Sequence, residues 1–448
     1  MKLIKSILLG AATGVVGVAA ASAADLPRLT KGPAVSYVKV CDTYGAGFFY
    51  VPGSSDTCIK IGGFMRADYN LASVHNFGTR TIAAAGALAS VTSSSTQKTD
   101  NFFARFGIGA DVRTATQYGV LRAYGLGEFN TGNVTFGNTA NVRAAFVQFA
   151  GLTAGQAESF FDFYGYGADY NSVHDSYQPT RMIAYTATFG GGFSASLGLE
   201  ANSTRQNAFL VDPLVPGVIA IGGTRMPDVV ANLRVDQGWG AAQLSGALHQ
   251  SIAVNNPVGL PLASTTRSTT GYAVQGGVKI NLPMLAAGDA LWIEGAYASG
   301  ATAYLGFGSN QSNSLGGAFQ SGAQLSRPEY DVAVLAGGNL QKQTGFQVMA
   351  ALNHYWTPTV AQAFLIGYSS LNPGQQTFAA TGVGKWNELR LASQLTWYPV
   401  AGFQIGFEGE YAAVRETVNA TTAAALAANN LKPNYGTWNG KLRIQRSF

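Results

Sequence analysis

Residues 158–181 (ESFFDFYGYGADYNSVHDSYQPTR) place four acids, Glu158, Asp162, Asp169 and Asp175, among seven aromatic side chains. The segment is too aromatic for an ordinary solvated loop and too acidic for a core element. Its chemistry is electrostatic: carboxylates on a ledge of packed rings. The matching bases are Arg66, Arg105, Arg113, Arg122 and Arg143. Opposed charges across a water-filled gap with low-dielectric walls focus a transverse field, which orders water and penalises apolar solutes. The plainer alternative is that the same charges only solvate a polar surface. Tyr164, Tyr166 and Tyr170 read as packing residues with one wet edge rather than as ligand contacts.

Catalytic chemistry finds no comparable constellation. The histidines, His75, His174, His249 and His354, lie in separate segments. No nucleophile elbow, zinc-type spacing or phosphate loop accompanies them, so neither an enzyme, a metal nor a cofactor is expected. His174 beside Asp175 is a candidate pH-sensitive gate, against the plainer reading of a loop histidine in water.

The elements that must position these charges are strands. Period-two alternation separated by turn residues marks sixteen of them: 58–71, 101–114, 120–129, 141–150, 152–163, 181–189, 193–200, 227–236, 241–253, 271–282, 290–299, 330–342, 345–356, 387–398, 403–416 and 437–448. In the second, Phe102, Ala104, Phe106, Ile108 and Ala110 alternate with Arg105, Gly107, Gly109, Asp111 and Arg113. A tight turn at Gln117-Tyr118 sets Arg113 directly opposite Arg122. Like charges so opposed cost up to about 1 kcal/mol, and Asp111 lies diagonal to relieve them. Arg105 and Arg113, eight residues apart, are separated by about 27 Å along the strand and cannot share one level. Gln148 competes with Arg143 for the inward parity.

Connections alternate between tight turns (190–192, 238–240, 400–402) and long insertions (73–99, 201–226, 255–270, 301–327, 358–385, 417–436). The Ala-rich stretches 81–91 and 421–431 suit short loop helices. Tight turns at one rim and long loops at the other mark an outer-membrane barrel. In lipid every backbone amide needs a partner, so the sheet must close. The expected fold is all-β, a 16-stranded antiparallel transmembrane β-barrel, wide enough for an aqueous channel. Residues 158–181 then form the third long connection, folded into the barrel mouth.

Composition agrees. Only 11% of residues are charged, while 56 Gly, 25 Phe and 20 Tyr are present, which a soluble chain of this size would not show. Residues 1–23 read as a cleaved signal peptide, with Lys2 and Lys5, an apolar run and Ala21-Ser22-Ala23. The 28 basic residues less those two lysines leave 26 against 23 acids, a net charge of +3, too mild and too scattered for nucleic acid. Cys41 and Cys58, an even and close pair in an exported chain, are expected to form a disulfide. The domain order is therefore signal peptide 1–23, periplasmic segment 24–57 and barrel 58–448. Phe448 ends the last strand on its outward face with Leu442 and Ile444; Arg446 shares that parity and must snorkel from the rim.

The chain resembles the general porins of α-proteobacteria, of the rhizobial and brucella type. The resemblance spans the mature chain and is carried by YVKVCDTYGAGFFYVPGSSDTCIKIGGFMR (37–66), MPDVVANLRVDQGWG (226–240) and LRIQRSF (442–448). It implies a homotrimer in the outer membrane passing small hydrophilic solutes, with the third loop in the pore. It also implies Phe448 as a signal to the outer-membrane barrel assembly machinery, and contact with outer-membrane lipid and lipopolysaccharide. A solute-selective channel or a surface adhesin on the same barrel is the alternative.

Overall fold

Side chains that alternate between apolar and polar build a sheet with one oily and one wet face, and this chain closes that sheet on itself. The structure, a computed structural model, describes residues 39–75, 79–84, 87–92, 96–131, 138–165, 170, 175–211, 218–256, 265–307, 330–335, 338–428 and 432–448. The predicted signal peptide lies outside these residues. Sixteen strands form the barrel. They are β1 (Thr57–His75), β2 (Thr96–Thr116), β3 (Gly119–Asn130), β4 (Thr139–Phe149), β5 (Leu152–Glu158), β6 (Pro179–Gly190), β7 (Phe193–Glu200) and β8 (Asp228–Gln237). The second half comprises β9 (Gly240–Asn256), β10 (Thr265–Asn281), β11 (Ala290–Ser299), β12 (Thr344–Thr357), β13 (Val360–Asn372), β14 (Val383–Val400), β15 (Phe403–Val418) and β16 (Asn434–Ser447). Each pairs antiparallel with the next, and β16 pairs with β1 from Phe64↔Ser447 to Ala72↔Asn439. No helix among the described residues is long and apolar enough to cross a membrane; the strands do so.

The faces are inverted relative to a water-soluble protein. Leu244 (61%), Ile183 (62%) and Leu233 (60%) are exposed, whereas Asn232, Gln243, Gln275, Glu294 and Arg443 are buried. Apolar side chains face lipid and polar ones face the interior, as a bilayer solvent requires.

Two strand assignments are corrected. Residues 330–342 are not a barrel strand: Tyr330–Val334 pairs in parallel with Ala208–Val211 and antiparallel with Leu340–Lys342 in a separate three-stranded sheet. Conversely β13, expected within a long insertion, completes the barrel and pairs with β12 and β14. The errors cancel in the count. The physical reason is that the inner face of β13 is not polar: Ala363 and Leu365 are buried against Tyr164, Trp292 and Met349. Residues 79–84 and 87–92 form a hairpin rather than a helix, while a helix does span Ala420–Ala428.

The Cys41–Cys58 disulfide is formed. It ties a short N-terminal segment, whose Phe49–Tyr50 pairs with the start of β1, to the rim bearing the tight turns. Phe448 closes the same rim through reciprocal backbone bonds with Gly63, both 3.0 Å. Arg446 reaches that rim, donating to the carbonyl of Ala401 in the β14–β15 turn.

Candidate functional site

Beyond Glu158 the alternation of β5 stops, and the backbone leaves the wall. From there each step of the chain meets a polar side chain of a further strand. Ser159 Oγ (2.7 Å) and the Phe160 amide (3.0 Å) donate to Glu200 on β7. Asn232 on β8 donates to the Phe160 carbonyl (2.7 Å), Gln243 on β9 to that of Asp162 (2.9 Å) and Gln275 on β10 to that of Phe161 (3.1 Å). The Tyr164 amide donates to Glu294 on β11 (3.0 Å), and the Tyr170 amide to Glu408 on β15 (2.8 Å). A buried backbone without such partners would lose about 1–3 kcal/mol per unpaired group. The inward Asn, Gln and Glu residues of β7–β11 thus serve as a rail for this segment.

Among the described rings of the segment, Phe161, Tyr164, Tyr170 and Tyr177 are buried, and Phe160 and Phe163 are half-buried. Phe161 packs edge-on against Tyr304 at 4.7 Å, and Phe307 against Trp386 at 5.3 Å, in one apolar cluster that takes in small inward residues such as Ala247, Ala273 and Ala296. Phe163 lies where a side chain on β10 would otherwise be: a Cβ at Gly277 would sit 2.3 Å from its ring. Gly406 on β15 likewise clears Tyr170, whose hydroxyl would be 2.0 Å from an added Cβ. Residues 301–307 are themselves fully buried and are fixed to the wall, since Tyr304 donates to Asp228 at 2.8 Å and His249 Nδ1 lies 2.9 Å from the same carboxylate.

The acids of the segment divide. Glu158 is exposed and accepts from the Tyr177 hydroxyl at 2.9 Å. Asp162 and Asp175 are buried. Asp162 takes Arg205 Nη2 at 2.7 Å and the Gln178 amide at 2.6 Å, and Asp175 takes the Tyr177 amide at 3.0 Å. Burial pushes the Asp162 carboxyl up to about 7, only partly offset by Arg205. Asp169, Tyr166 and His174 lie outside the described residues. Burial also raises the Tyr177 hydroxyl, keeping it a neutral donor to Glu158 and an acceptor from Arg143.

The bases occupy two levels. Arg113 and Arg122 pair across β2–β3 near the tight turn at 117–118. Asp111 accepts from both, at 2.8 and 3.1 Å from Arg113 and at 2.9 and 3.0 Å from Arg122. The N-terminal segment covers this level, with Phe48 5.0 Å and Tyr44 5.7 Å from the Arg113 guanidinium. Deeper in, Arg66 stands directly opposite Arg105. Arg66 donates to Gln445 at 2.8 Å, and Arg105 pairs with Glu128 at 3.1 Å. Arg143 occupies a one-residue irregularity between β3 and β4. This switches the parity, so that both Arg143 and Gln148 point inward: Arg143 bonds Tyr177, and Gln148 accepts from Arg122 at 3.1 Å.

Two residues of this site escape sequence reasoning. Arg443, on the inward face of β16, grips Asp68 through two 2.7 Å bonds and lies 4.0 Å from the Tyr170 ring centroid. Its parity was readable, but its meeting with Tyr170 depends on the path of the segment. Arg205, from the long connection after β7, is buried against Tyr304 (4.3 Å) and pairs with Asp162; no local pattern marks it.

Residues 25–438 match the porin subfamily as a family model. Porin Omp2b of Brucella canis is 31% identical over 319 residues, covering 67% of this chain and 75% of its own. Porin Omp2b of Brucella neotomae is 30% identical over 325 residues, covering 68% and 76%. The outer membrane channel DcaP of Acinetobacter baumannii shares the fold with a TM-score of 0.59 at 13% identity, covering 88% of this chain and 98% of that one. The family and the relatives' names are those of channels rather than enzymes.

Proposed function

The chain belongs to the porin subfamily and is a passive diffusion channel of the outer membrane, and we propose that its selectivity is set where residues 159–178 approach the wall carrying Arg66, Arg105 and Arg443. The observation that carries this reading is the Tyr170–Arg443 contact at 4.0 Å, next to the row in which Arg66 and Arg105 face each other. The apolar cluster around Phe161, Tyr304 and Trp386 occupies the β8–β15 side, so water and solute pass along the basic sector. Arg143, held by Tyr177, adds to that sector at the loop, and Arg113 with Arg122 forms a second basic level towards the tight-turn rim. Glu158, exposed at the loop base, and Asp169 supply opposing charge; Asp162 and Asp175 hold the loop in place.

A field between these groups admits small hydrophilic and ionic solutes and disfavours apolar ones. The working unit is a homotrimer in outer-membrane lipid and lipopolysaccharide. Signal peptide 1–23 directs export, the barrel assembly machinery reads terminal Phe448, and residues 24–57 remain on the periplasmic side. The test is a reversal potential in a salt gradient across planar bilayers. Arg66→Gln with Arg105→Gln is expected to shift permeability towards cations several-fold, since one charge near the path is worth about 1 kcal/mol even in bulk water. An unchanged reversal potential in channels of normal conductance removes the proposal.

A further inference from the structure

A second charged site lies on the far wall, near the tight-turn rim, and its construction follows from strand register. Asp236 on β8, Ala241 on β9 and Lys279 on β10 stand in one row; Arg234, Gln243 and Gly277 form the next. Ala241 is small, so Asp236 and Lys279, two strand spacings apart, about 10 Å, flank an open floor, while the Phe163 ring fills the space over Gly277 in the next row. The result is a cavity of about 380 Å³ lined by Arg234, Asp236, Lys279, Gln237, Ala241 and Asn281, with Gly240 at its edge.

The cations are presented rather than consumed. Arg234 is aimed by Asp236, which takes Nε at 2.7 Å and Nη2 at 2.8 Å, and by Gln243, which takes Nη1 at 3.2 Å. A guanidinium has five N–H donors, so those three bonds fix its plane and leave two without a partner among the described residues. The Phe163 ring, 5.5 Å away, backs the same guanidinium. The Lys279 ammonium rests 5.1 Å from the Trp292 ring and makes no hydrogen bond among the described residues. Asp236 neutralises only one of the two cations.

We infer that this cavity is a binding station for the anionic oxygens of a permeating solute, a carboxylate or a phosphate, held between Lys279 and the remaining N–H edge of Arg234. It lies under Phe163, on the side of the bound segment that faces the tight turns, where a solute that has passed the basic sector can pause. A fixed, charge-assisted fork suits planar or tetrahedral oxyanions better than chloride. The inference uses the channel reading only for access to the site.

Inorganic phosphate and acetate are the probes, each added to the tight-turn side of single channels carrying chloride current. The expected result is a saturable reduction of current by one or both in the full-length protein. Lys279→Gln should raise the half-blocking concentration about tenfold, the weight of about 1.4 kcal/mol. Ala241→Leu, which keeps both charges but fills the floor, should do the same. Phosphate acting alone assigns the site to phosphate-bearing solutes, and action by both assigns it to carboxylates as well. Equal block in wild type and both variants, or no saturable block in wild type, overturns the inference. Reversal potentials in the Ala241→Leu channel, which keeps every charge, should stay near wild type, which separates failure here from failure at Arg66 and Arg105.

Discussion

Arg113 and Arg122 face each other directly across β2 and β3, and one carboxylate, Asp111, binds both guanidinium groups within 3.1 Å. A pairing that is unfavourable between two strands becomes favourable when a third charge stands diagonal to it. The pair is thus a three-residue unit, buttressed from below by Phe48 and Tyr44.

Asp111→Ala should therefore destabilise the barrel by about 1–2 kcal/mol, combining like-charge opposition with lost charged hydrogen bonds. Adding Arg122→Gln should recover part of that loss, because the repulsion goes with the second charge. Unfolding midpoints of the detergent-solubilised variants measure both effects. A double variant less stable than Asp111→Ala alone contradicts the three-residue unit.

Arg205→Met should cost more, about 3–5 kcal/mol, because it strands Asp162 as a buried, unpaired acid. The same change with Asp162→Asn removes both charges and should restore most of the stability. Single-channel conductance supplies the second readout: the single variant should show noisier, larger currents than the double variant as residues 159–165 loosen. Matching losses in single and double variants would place the stabilisation elsewhere.

The raised carboxyl of Asp162 ties loop attachment to pH. Its folded value of about 7 lies above the ordinary 3.8, so the folded state binds the extra proton. The contribution is complete below about pH 4 and is lost as pH rises through about 7. Hydrogen exchange of amides 159–165 should accordingly be slower at pH 5 than at pH 8, after correction for intrinsic rates. Asp162→Asn should flatten that dependence, and a wild-type profile with the opposite slope would reverse the assignment.

Replacing Cys41 and Cys58 by Ser removes a link between residues 17 apart, worth about 3 kcal/mol on the loop-entropy estimate. The barrel should still form, since β1 is paired on both sides. Residues 39–56 should become protease-sensitive and expose Arg113 to the lumen. Proteolysis with and without reductant distinguishes this from a general loss of fold.

Much of this architecture is local and was readable in residue order. Alternation in residues such as Phe102 to Arg113 reports which side of a strand meets lipid. A two-residue turn at Gln117-Tyr118 leaves a hairpin one register, so the Arg113–Arg122 pairing follows without a structure. The Cys41–Cys58 bond needed only an even count and an exported chain.

Where alternation depends on a distant neighbour, residue order misleads. The inner face of β13 is apolar because Tyr164 and its cluster lie against it, so the strand looked like a loop. Tyr330–Val334 is buried on both faces and looked like a wall strand while pairing in another sheet. Gln148 and Arg143 competed for one parity until a single-residue irregularity admitted both. Asp162 and Asp175 carry the charge of a ledge, yet burial among Arg205, Gln178 and the Tyr177 amide gives them an anchoring position. Residue order alone settles which face of a strand is wet, because a pleat repeats every two residues whatever lies beyond it. Which wet residues meet one another was decided only by the closed barrel, because strand stagger and the landing points of residues 159–178 and 301–307 arise from packing between segments far apart in the chain.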